Sequence, residues 1–425
     1  MAIYDSRGNE LISGASFSSI EPQENDIPIV TIDGTLPTAK SEGELHVSLT
    51  YKSLTKEFSS YATLKVQGDS STSYPKKNFT LKLFADSAHN KKLKKQFRRW
   101  DKERNKFVLK ANWIDHSHTR NIVSARLWTQ IVQSRSDYDS LPEALTTGNI
   151  AIDGFPVKMF NNGVYMGLYT WNLPKDAIFG ISSAVSTQAL VQGNSGVYSG
   201  SILWRSSTMD GKWTDETRDD AAPTGAIGTG FNALLNFVYT SSDSDFVNNF
   251  GTYFDKQSII DQYIMLYAGC IVDNIGKNQT FFTYDAQKWY GGMYDMDGTW
   301  GLPPWNVASV GWKSATTAFQ DGYAAVVEGT GDTNLLYERV GTLFNSDIVS
   351  RYTELRASVL SEDNINAEFE KFTSPIPPYR YAEDYASTTG NGAFTGIPLK
   401  DTNNILQIRQ FVIDRLAYVD SQILE

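Results

Sequence analysis

An apolar segment that ends at an aspartate and is followed by a short hairpin is the feature that most restricts how this chain can fold. Residues 258–272 are apolar with the breadth of a buried helix, and Asp273 comes directly after them. Residues 280–294 then form two short runs of aromatic and polar residues around a turn, a pattern that predicts a β-hairpin. Because a hairpin brings the chain back to where it began, we expect Asp295 to lie beside Asn278.

The order and spacing of these polar residues resemble those of a phosphoryl-transfer site. Protein kinases use an Asp that accepts the proton of the substrate hydroxyl, an Asn five positions later that holds Mg²⁺, and a metal-binding Asp further along the chain. Here Asn278 follows Asp273 by five positions, and Asp295 and Asp297 come after the predicted hairpin. Asp and Asn are also common turn residues, so the spacing alone is weak. The pattern predicts three carboxylates and an amide around one divalent metal ion.

Residues 66–83 predict a strand, a loop and a second strand. The loop contains small residues and ends in a lysine pair, namely Gly68, Ser70, Ser71, Lys76 and Lys77. Backbone amides and small side chains can approach phosphates closely, and a lysine can neutralise their charge. The loop lacks both the Walker spacing and the glycine pattern of ordinary protein kinases, so an exposed hairpin with solvated lysines is the alternative. We expect these lysines and the acidic residues to share one cleft, as a kinase-like site requires.

Four blocks of the sequence together resemble the CotH kinase-like family, which is named for a spore-coat protein. The blocks cover residues 68–82, 109–121, 163–169 and 273–301. The resemblance implies an α+β protein with an atypical protein-kinase-like fold, in which a β-rich N-terminal lobe precedes a helical C-terminal lobe. Many relatives have an acidic residue after the third block, where this chain has Thr170, so the resemblance leaves catalytic competence open.

The resemblance also assigns a role to each candidate residue. It implies that Asp273 is the catalytic base. It implies that either Lys76 or Lys77 contacts the nucleotide phosphates, and the small loop residues Gly68, Ser70 and Ser71 complete the predicted nucleotide-binding set. The magnesium ligands that it implies are Asn278 and either Asp295 or Asp297. For an active protein it implies Mg²⁺ and ATP as cofactors.

Three further polar residues, Asp115, Arg120 and Asn121, belong to the second block of the resemblance. A helix is predicted over residues 119–133, and Asp115 is placed to cap it. Holding this helix against the sheet is at least as good an interpretation of the three residues as contact with a ligand.

The composition restricts the classes of partner. The chain has 38 Lys and Arg residues against 48 Asp and Glu residues, a net charge of −10, which disfavours a nucleic-acid partner. Cys270 is the only cysteine, so we expect a small core residue and no disulfide within the chain. His116 and His118 could bind a metal, but no third ligand is evident, and surface or capping roles are the better interpretation.

The residue composition along the chain predicts four regions. Residues 1–26 are polar and predict a docking arm, residues 27–179 a β-rich lobe, and residues 180–230 a Gly- and Ser-rich insertion. Residues 231–425 predict a helical lobe that carries the metal site. Within the β-rich lobe, Asn162-Gly163 is a typical hairpin turn.

The polar arm also resembles the first residues of tail and baseplate proteins of phages of Gram-positive bacteria, in which CotH-like domains occur. The start of the chain lacks a secretory signal, and no apolar stretch reaches the roughly 20 residues of a bilayer span. We therefore expect a virion tail or baseplate protein made in the host cytoplasm, with a cytoplasmic protein as the alternative. The expected partners are other tail proteins in an oligomeric assembly and a cell-wall glycan.

Two functions from different classes agree with these patterns. The first is a virion tail, baseplate or fibre component that uses a CotH kinase-like domain for tail assembly or host attachment. The alternative is an active Mg-ATP-dependent kinase that phosphorylates a hydroxyl of a protein or glycan. A wall-degrading glycosidase with Asp273, Asp295 and Asp297 as its carboxylates is a third interpretation, but it leaves Asn278 and the lysine-bearing loop without a role.

Overall fold

The computed structural model of the 425-residue chain describes residues 3–4, 10–12, 27–98, 100–194, 200–218, 221–302, 314–319, 333–388 and 405–424. Strands predominate in the described chain before residue 173, and helices predominate after residue 224. The α+β class is therefore confirmed. The kinase-like arrangement of two lobes stays a prediction.

The strands fall into three sheets. They are β1 (Ile3–Tyr4), β2 (Glu10–Ile12), β3 (Ile29–Asp33), β4 (Leu45–Lys52), β5 (Glu57–Gln67), β6 (Asn78–Phe84), β7 (Lys106–Lys110), β8 (Gly154–Asn161), β9 (Val164–Asn172), β10 (Ala189–Gly193), β11 (Trp213–Asp215), β12 (Thr280–Thr283) and β13 (Trp289–Gly292). Strands β1 and β2 pair with each other, and the rest of the arm predicted over residues 1–26 lies outside the described residues.

Seven strands close into a barrel in the order β3-β4-β5-β6-β7-β9-β8. All neighbours are antiparallel except β3 and β8, which close the ring in parallel. Strands β8 and β9 form the predicted hairpin, and its turn residues Asn162 and Gly163 have φ angles of 48° and 79°. Positive φ at both central positions is what a tight hairpin turn requires.

Alternation along the strands fills the barrel with apolar side chains. On β6, Phe79, Leu81 and Leu83 are buried, whereas Thr80 and Lys82 are partly exposed. The inward residues of all seven strands belong to one hydrophobic cluster, so the barrel is a packed core and not a channel. Lysines consequently lie on the outer face of β5, β6 and β7, which borders the cleft described below.

A second core lies between a four-stranded antiparallel sheet and the helices. The order in this sheet is β11-β10-β12-β13, and β12 and β13 form the expected hairpin. The helices are α1 (Arg120–Gln133), α2 (Glu143–Thr146), α3 (Gly225–Thr240), α4 (Asp243–Tyr253), α5 (Lys256–Ala268), α6 (Leu335–Leu343), α7 (Asn345–Arg356), α8 (Glu362–Thr373), α9 (Pro378–Thr388) and α10 (Ile405–Ile423). Among the described helices, none combines the length and the apolar character that crossing a bilayer needs.

Residues 180–230 were expected to be a loop or insertion, and the described part of this region contains more regular structure. It supplies β10 and β11, and α3 begins at Gly225. Strand β10 pairs with β12, with Gln192 opposite Thr280. The region is therefore part of the sheet that positions the residues after α5.

Candidate functional site

A cleft of about 780 Å³ lies between the outer face of the barrel and the loops that follow α5 and β13. Its walls include residues from the β5–β6 loop, from β7 and from β10. The predicted site residues Asp273, Asn278, Asp295 and Asp297 all line it. A cleft of this size is in the range that holds a small-molecule ligand such as a nucleotide.

The chain after α5 folds back on itself and joins the first two of these residues. Helix α5 ends at Ala268, and a 3₁₀ turn spans Asp273–Ile275. Asn278 has a φ of 65°, a left-handed conformation that Asn tolerates better than most residues. Its Nδ2 donates a hydrogen bond of 2.7 Å to Asp273 Oδ2. The predicted spacing of five residues therefore corresponds to a direct contact.

The loop with Asp295 and Asp297 is held by residues from the start of α1. Met296 N donates to Asn121 Oδ1 at 3.0 Å, and Arg120 Nε donates to the Thr299 carbonyl at 3.0 Å. Asp295 itself has a φ of 56°, which is uncommon for a residue with a side chain. These contacts fix the loop at the cleft.

Arg120 is fully buried and is balanced by Asp115. Its Nη1 lies 2.7 Å from Asp115 Oδ1, and its backbone N donates to Asp115 Oδ2 at 2.8 Å. Asp115 therefore accepts from the first residue of α1, although Thr119 and not Asp115 is the N-cap residue. The ion pair serves to hold the helix and, through Arg120, the acidic loop.

The carboxylates act electrostatically on one another and on the Tyr74 hydroxyl. Burial raises the pKa of Asp297 well above its ordinary value, and the negative charge of Asp295 adds to this shift. Burial also raises the pKa of Tyr74 to about 12, with further contributions from Asp297, Asp273 and Asp295. The three carboxylates thus lie close enough to Tyr74 to disfavour the loss of its proton.

Asp273 has the electrostatics of a general base. Burial raises its pKa to about 7, although Lys277 lowers it. The charge of Asp295 raises this pKa further, whereas the hydrogen bond from Asn278 lowers it. A carboxylate that titrates near neutral pH can accept a proton from a hydroxyl more effectively than one with an ordinary pKa.

The β5–β6 loop borders the same cleft. Gly68 has a φ of 114°, and a Cβ atom there would lie 1.9 Å from Ser71 Oγ, so the position requires glycine. Gly68 and Ser71 line the cleft. Ser70 lies in the 3₁₀ turn Ser70–Ser73, and its side chain lies outside the described part of the chain.

The two predicted lysines do not share this cleft with the acidic residues. Lys76 Nζ is buried against Asp384 Oδ1 at 2.8 Å and lies over the Tyr169 ring. Lys77 Nζ donates to the carbonyls of Thr72 and Tyr74 within its own loop. The expectation of a common cleft is therefore wrong for Lys76 and Lys77.

Several other lysines line the cleft in their place, and sequence reasoning missed them. The three that act electrostatically on Asp295 are Lys110, Lys175 and Lys277. Lys110, at the end of β7, lies 3.1 Å from Asp295 Oδ1. Burial would raise the pKa of Asp295, but Lys110 outweighs it and holds that pKa below its ordinary value. Lys175 and Lys277 line the same walls. Lys110 ends an apolar strand two positions before the cleft residue Asn112, but Lys76 adjoins an apolar strand as well, so no local signal singled out Lys110.

Most of the chain, including these cleft residues, matches one protein family. Residues 64–419 of the chain match the family model described as CotH kinase protein. The chain belongs to the CotH kinase protein family. Among curated proteins, none matches the chain. The matched region of this CotH family member contains Asp273, Asn278, Asp295 and Asp297 as well as Lys110.

The donor set of the CotH cleft fits a magnesium ion that is shared with phosphates. In the described residues, no group of three or more His, Cys, Asp or Glu side chains is arranged to hold a metal by itself. Mg²⁺ is typically bound by one or two carboxylates and completes its shell with substrate phosphates and water. Asp295 and Asp297 supply such a pair, and the pKa of Asp297 is raised by burial and then by the charge of Asp295, which a cation would offset.

Proposed function

We propose that this CotH family member is a phosphotransferase that moves the terminal phosphoryl group of Mg-ATP to a hydroxyl. The observation that carries the proposal is the convergence of Asp273, Asp295 and Lys110 on one cleft. Phosphoryl transfer needs little covalent chemistry from the protein and depends on positioning and charge stabilisation. A base, a carboxylate pair for a cation and lysines for the phosphates are the groups that such a reaction uses.

Each cleft residue has a defined part in the proposed reaction. Asp273 accepts the proton of the acceptor hydroxyl as that oxygen forms a bond to the terminal phosphorus. The bond from this phosphorus to the β–γ bridging oxygen breaks, and its electron pair leaves with ADP. Lys110 offsets the negative charge of the phosphates, and the loop at Gly68 allows the backbone to approach them.

Asp295 and Asp297 are the residues that would hold magnesium in this mechanism. When bound, the ion supplies positive charge against the phosphate oxygens. The ion pair with Lys110 keeps Asp295 ionised, so one carboxylate is ready for the cation. The second, Asp297, favours its neutral form until positive charge is near.

Binding and transfer should be measured separately on the purified chain. Calorimetry with Mg²⁺ and a non-hydrolysable ATP analogue reports binding, and γ-labelled ATP reports transfer to an added protein, to glycan or to the chain itself. We expect saturable Mg-dependent binding and a label that is lost in Asp273→Asn while binding persists. The matched control is Lys52→Met, which changes an exposed lysine of β4 away from the cleft.

Two results would count against the proposal. Absence of nucleotide binding would remove the phosphotransferase assignment. Equal transfer by wild type and Asp273→Asn would remove Asp273 as the base.

We also propose, from the sequence of the predicted arm, that the chain serves in a virion tail or baseplate. Most of residues 1–26 lie outside the described residues, so the support is the sequence resemblance alone. Light scattering of the purified chain and labelling of virions with a specific antibody test this role. A monomeric chain absent from virions would contradict it.

A further inference from the structure

The two ends of the Asn278 side-chain amide have different partners. Its Nδ2 donates to Asp273 Oδ2 at 2.7 Å, and its Oδ1 accepts a hydrogen bond of 2.9 Å from Gln192 Nε2. Gln192 is 6% exposed and lies on β10, opposite Thr280 of β12. The amide oxygen that a metal would use is therefore engaged by the protein.

The chain of hydrogen bonds continues to a cation. Lys175 Nζ donates to Gln192 Oε1 at 2.7 Å and is also paired with Glu216. The same ammonium group lies 4.7 Å from the centre of the Tyr294 ring. Strand β11, which ends one residue before Glu216, thus helps to place the lysine.

The Lys175 ammonium group and the Asp273 carboxylate at the two ends of this series fix the direction of every hydrogen bond between them. An ammonium group can only donate, and an ionised carboxylate can only accept. Gln192 must therefore turn its oxygen to Lys175 and its NH₂ group to Asn278. Asn278 must in turn direct its oxygen to Gln192 and its NH₂ group to Asp273. Either amide in the flipped orientation would place two donors or two acceptors against each other.

We propose that Lys175 and Gln192 form a relay that orients Asn278 as a donor to Asp273, so that Asn278 positions the base and is not a magnesium ligand. This inference rests on the proposed phosphotransferase function. It changes the role that the sequence resemblance implied for Asn278, and it assigns positioning roles to Gln192 and Lys175. A carboxylate held by one NH₂ group keeps its second oxygen directed at the acceptor hydroxyl.

The charged surroundings of Asp273 agree with a need for such a relay. Lys277 lowers the pKa of Asp273, whereas Asp295 raises it. Asp297 and, from the facing loop, Tyr74 also interact electrostatically with Asp273. Asn278 is the neutral group among them that makes a direct hydrogen bond to the carboxylate. Its orientation therefore affects how the carboxylate is held without altering the net charge of the cleft.

The first arm of the test measures metal binding and needs no catalysis. Calorimetric titration with Mg²⁺ and a non-hydrolysable ATP analogue compares wild type, Asn278→Ala and Gln192→Met. We expect the Mg²⁺ half-saturation to change by less than about 2-fold in either variant, because neither change removes the carboxylates of Asp295 and Asp297, which would hold the metal. An increase of about 10-fold or more in Asn278→Ala would make Asn278 a ligand and overturn the proposal.

The second arm measures transfer at saturating Mg²⁺. General-base catalysis is worth about 10²–10⁴-fold, so we expect kcat to fall by about 10–100-fold in Asn278→Ala and by about 10-fold in Gln192→Met. The KM for ATP should stay unchanged in both. Asn278→Asp discriminates most sharply, because a carboxylate is a good metal ligand but cannot donate to Asp273. Retained kcat in Asn278→Asp would overturn the proposal.

The test distinguishes a variant that does not fold from a failure of the proposed phosphotransferase function. Thermal unfolding of each variant shows whether it is folded, and Gln192→Met, a neutral change of similar length, replaces Asn278→Ala if that variant does not fold. If the wild type binds Mg-nucleotide but transfers no phosphoryl group, the phosphotransferase proposal fails. The metal-binding measurement alone then decides the role of Asn278. If the wild type binds no nucleotide, both proposals fail.

Discussion

Lys76 Nζ lies 2.8 Å from Asp384 Oδ1, although the two residues are 308 positions apart in the sequence. Asp384 also accepts from His118 Nε2 at 3.0 Å and from the backbone N of Leu168 at 2.7 Å. Burial would raise the pKa of Asp384, but Lys76 and His118 together hold it well below its ordinary value. This buried cluster joins the barrel to helix α9.

Asp384→Asn should therefore destabilise the protein. The change keeps the shape of the side chain but leaves the Lys76 ammonium group buried without its counter-ion, which typically costs about 3–5 kcal/mol. Urea unfolding followed by circular dichroism measures the loss. The exposed change Lys52→Met serves as the control, and a loss below about 1 kcal/mol in Asp384→Asn would contradict the structural role of the cluster.

Lys110→Met and Lys76→Met should separate phosphate binding from structural stability. Lys110 lines the cleft beside Asp295, whereas Lys76 is buried away from it. We expect Lys110→Met to weaken binding of Mg-ATP by about 10-fold or more, since a charged hydrogen bond contributes about 1.5–3 kcal/mol. Lys76→Met should retain the wild-type affinity and unfold at a lower temperature. Calorimetry and thermal unfolding distinguish the two variants, and the reverse pattern would return the nucleotide-binding role to Lys76.

Asp297→Asn should be more stable than wild type when magnesium is absent. Because the folded-state pKa of Asp297 is raised, its charged form opposes folding, and stability falls as pH rises from the unfolded pKa to the folded one. Removing the charge should increase the free energy of unfolding at neutral pH by about 0.5–2 kcal/mol. Chelator-treated samples of both proteins, unfolded in urea, provide the measurement.

The same variant should lose its response to magnesium. Addition of Mg²⁺ with a non-hydrolysable ATP analogue should raise the Tm of wild type and leave the Tm of Asp297→Asn almost unchanged, because a ligand that binds only the native state stabilises it. An equal rise in both proteins would show that Asp297 is not required for the metal.

His116 should make stability depend on pH in the acid range. Burial lowers its pKa from 6.5 to about 4, so below pH 6.5 the unfolded chain binds the proton more readily than the folded one. This contribution is complete above pH 6.5 and is lost as pH falls towards 4. Between pH 7.5 and pH 5 the loss from this one group should be about 2 kcal/mol.

Unfolding at these two pH values compares wild type with His116→Gln. The variant should show a loss that is smaller by about 2 kcal/mol, since glutamine does not titrate. His46→Gln, at an exposed position on β4, is the matched control. The same pH dependence in wild type and His116→Gln would rule out His116 as its source.

Local patterns predicted much of the fold because they depend on neighbouring residues. The predicted helix over 119–133 corresponds to α1 (Arg120–Gln133), and the predicted hairpin corresponds to β12 and β13. Asp273 and Asp295 meet for the same reason, because one short hairpin joins their segments. The strands in 180–230 were not predicted, since β10 and β11 are five and three residues long and too short to show an alternation.

Long-range pairing explains what the sequence could not predict. Lys76 and Lys110 both adjoin apolar strands, and nothing local distinguishes them. The tertiary fold places Asp384 beside Lys76 and Asp295 beside Lys110. Gln192, the hydrogen-bond partner of Asn278, could not be recognised from the sequence for a related reason. Its role depends on the pairing of β10 with β12.

The parallel contact between β3 and β8 has a practical consequence for anyone who isolates this domain. The family match begins at residue 64, within β5, so a fragment cut at that boundary would lack β3, β4 and seven of the eleven residues of β5. The ring would be split open, and β8 would present an unpaired edge on which copies could add to one another. A recombinant fragment should therefore start ahead of Ile27. Aggregation of a fragment that starts at residue 64 would reflect the open barrel and not a property of the whole protein.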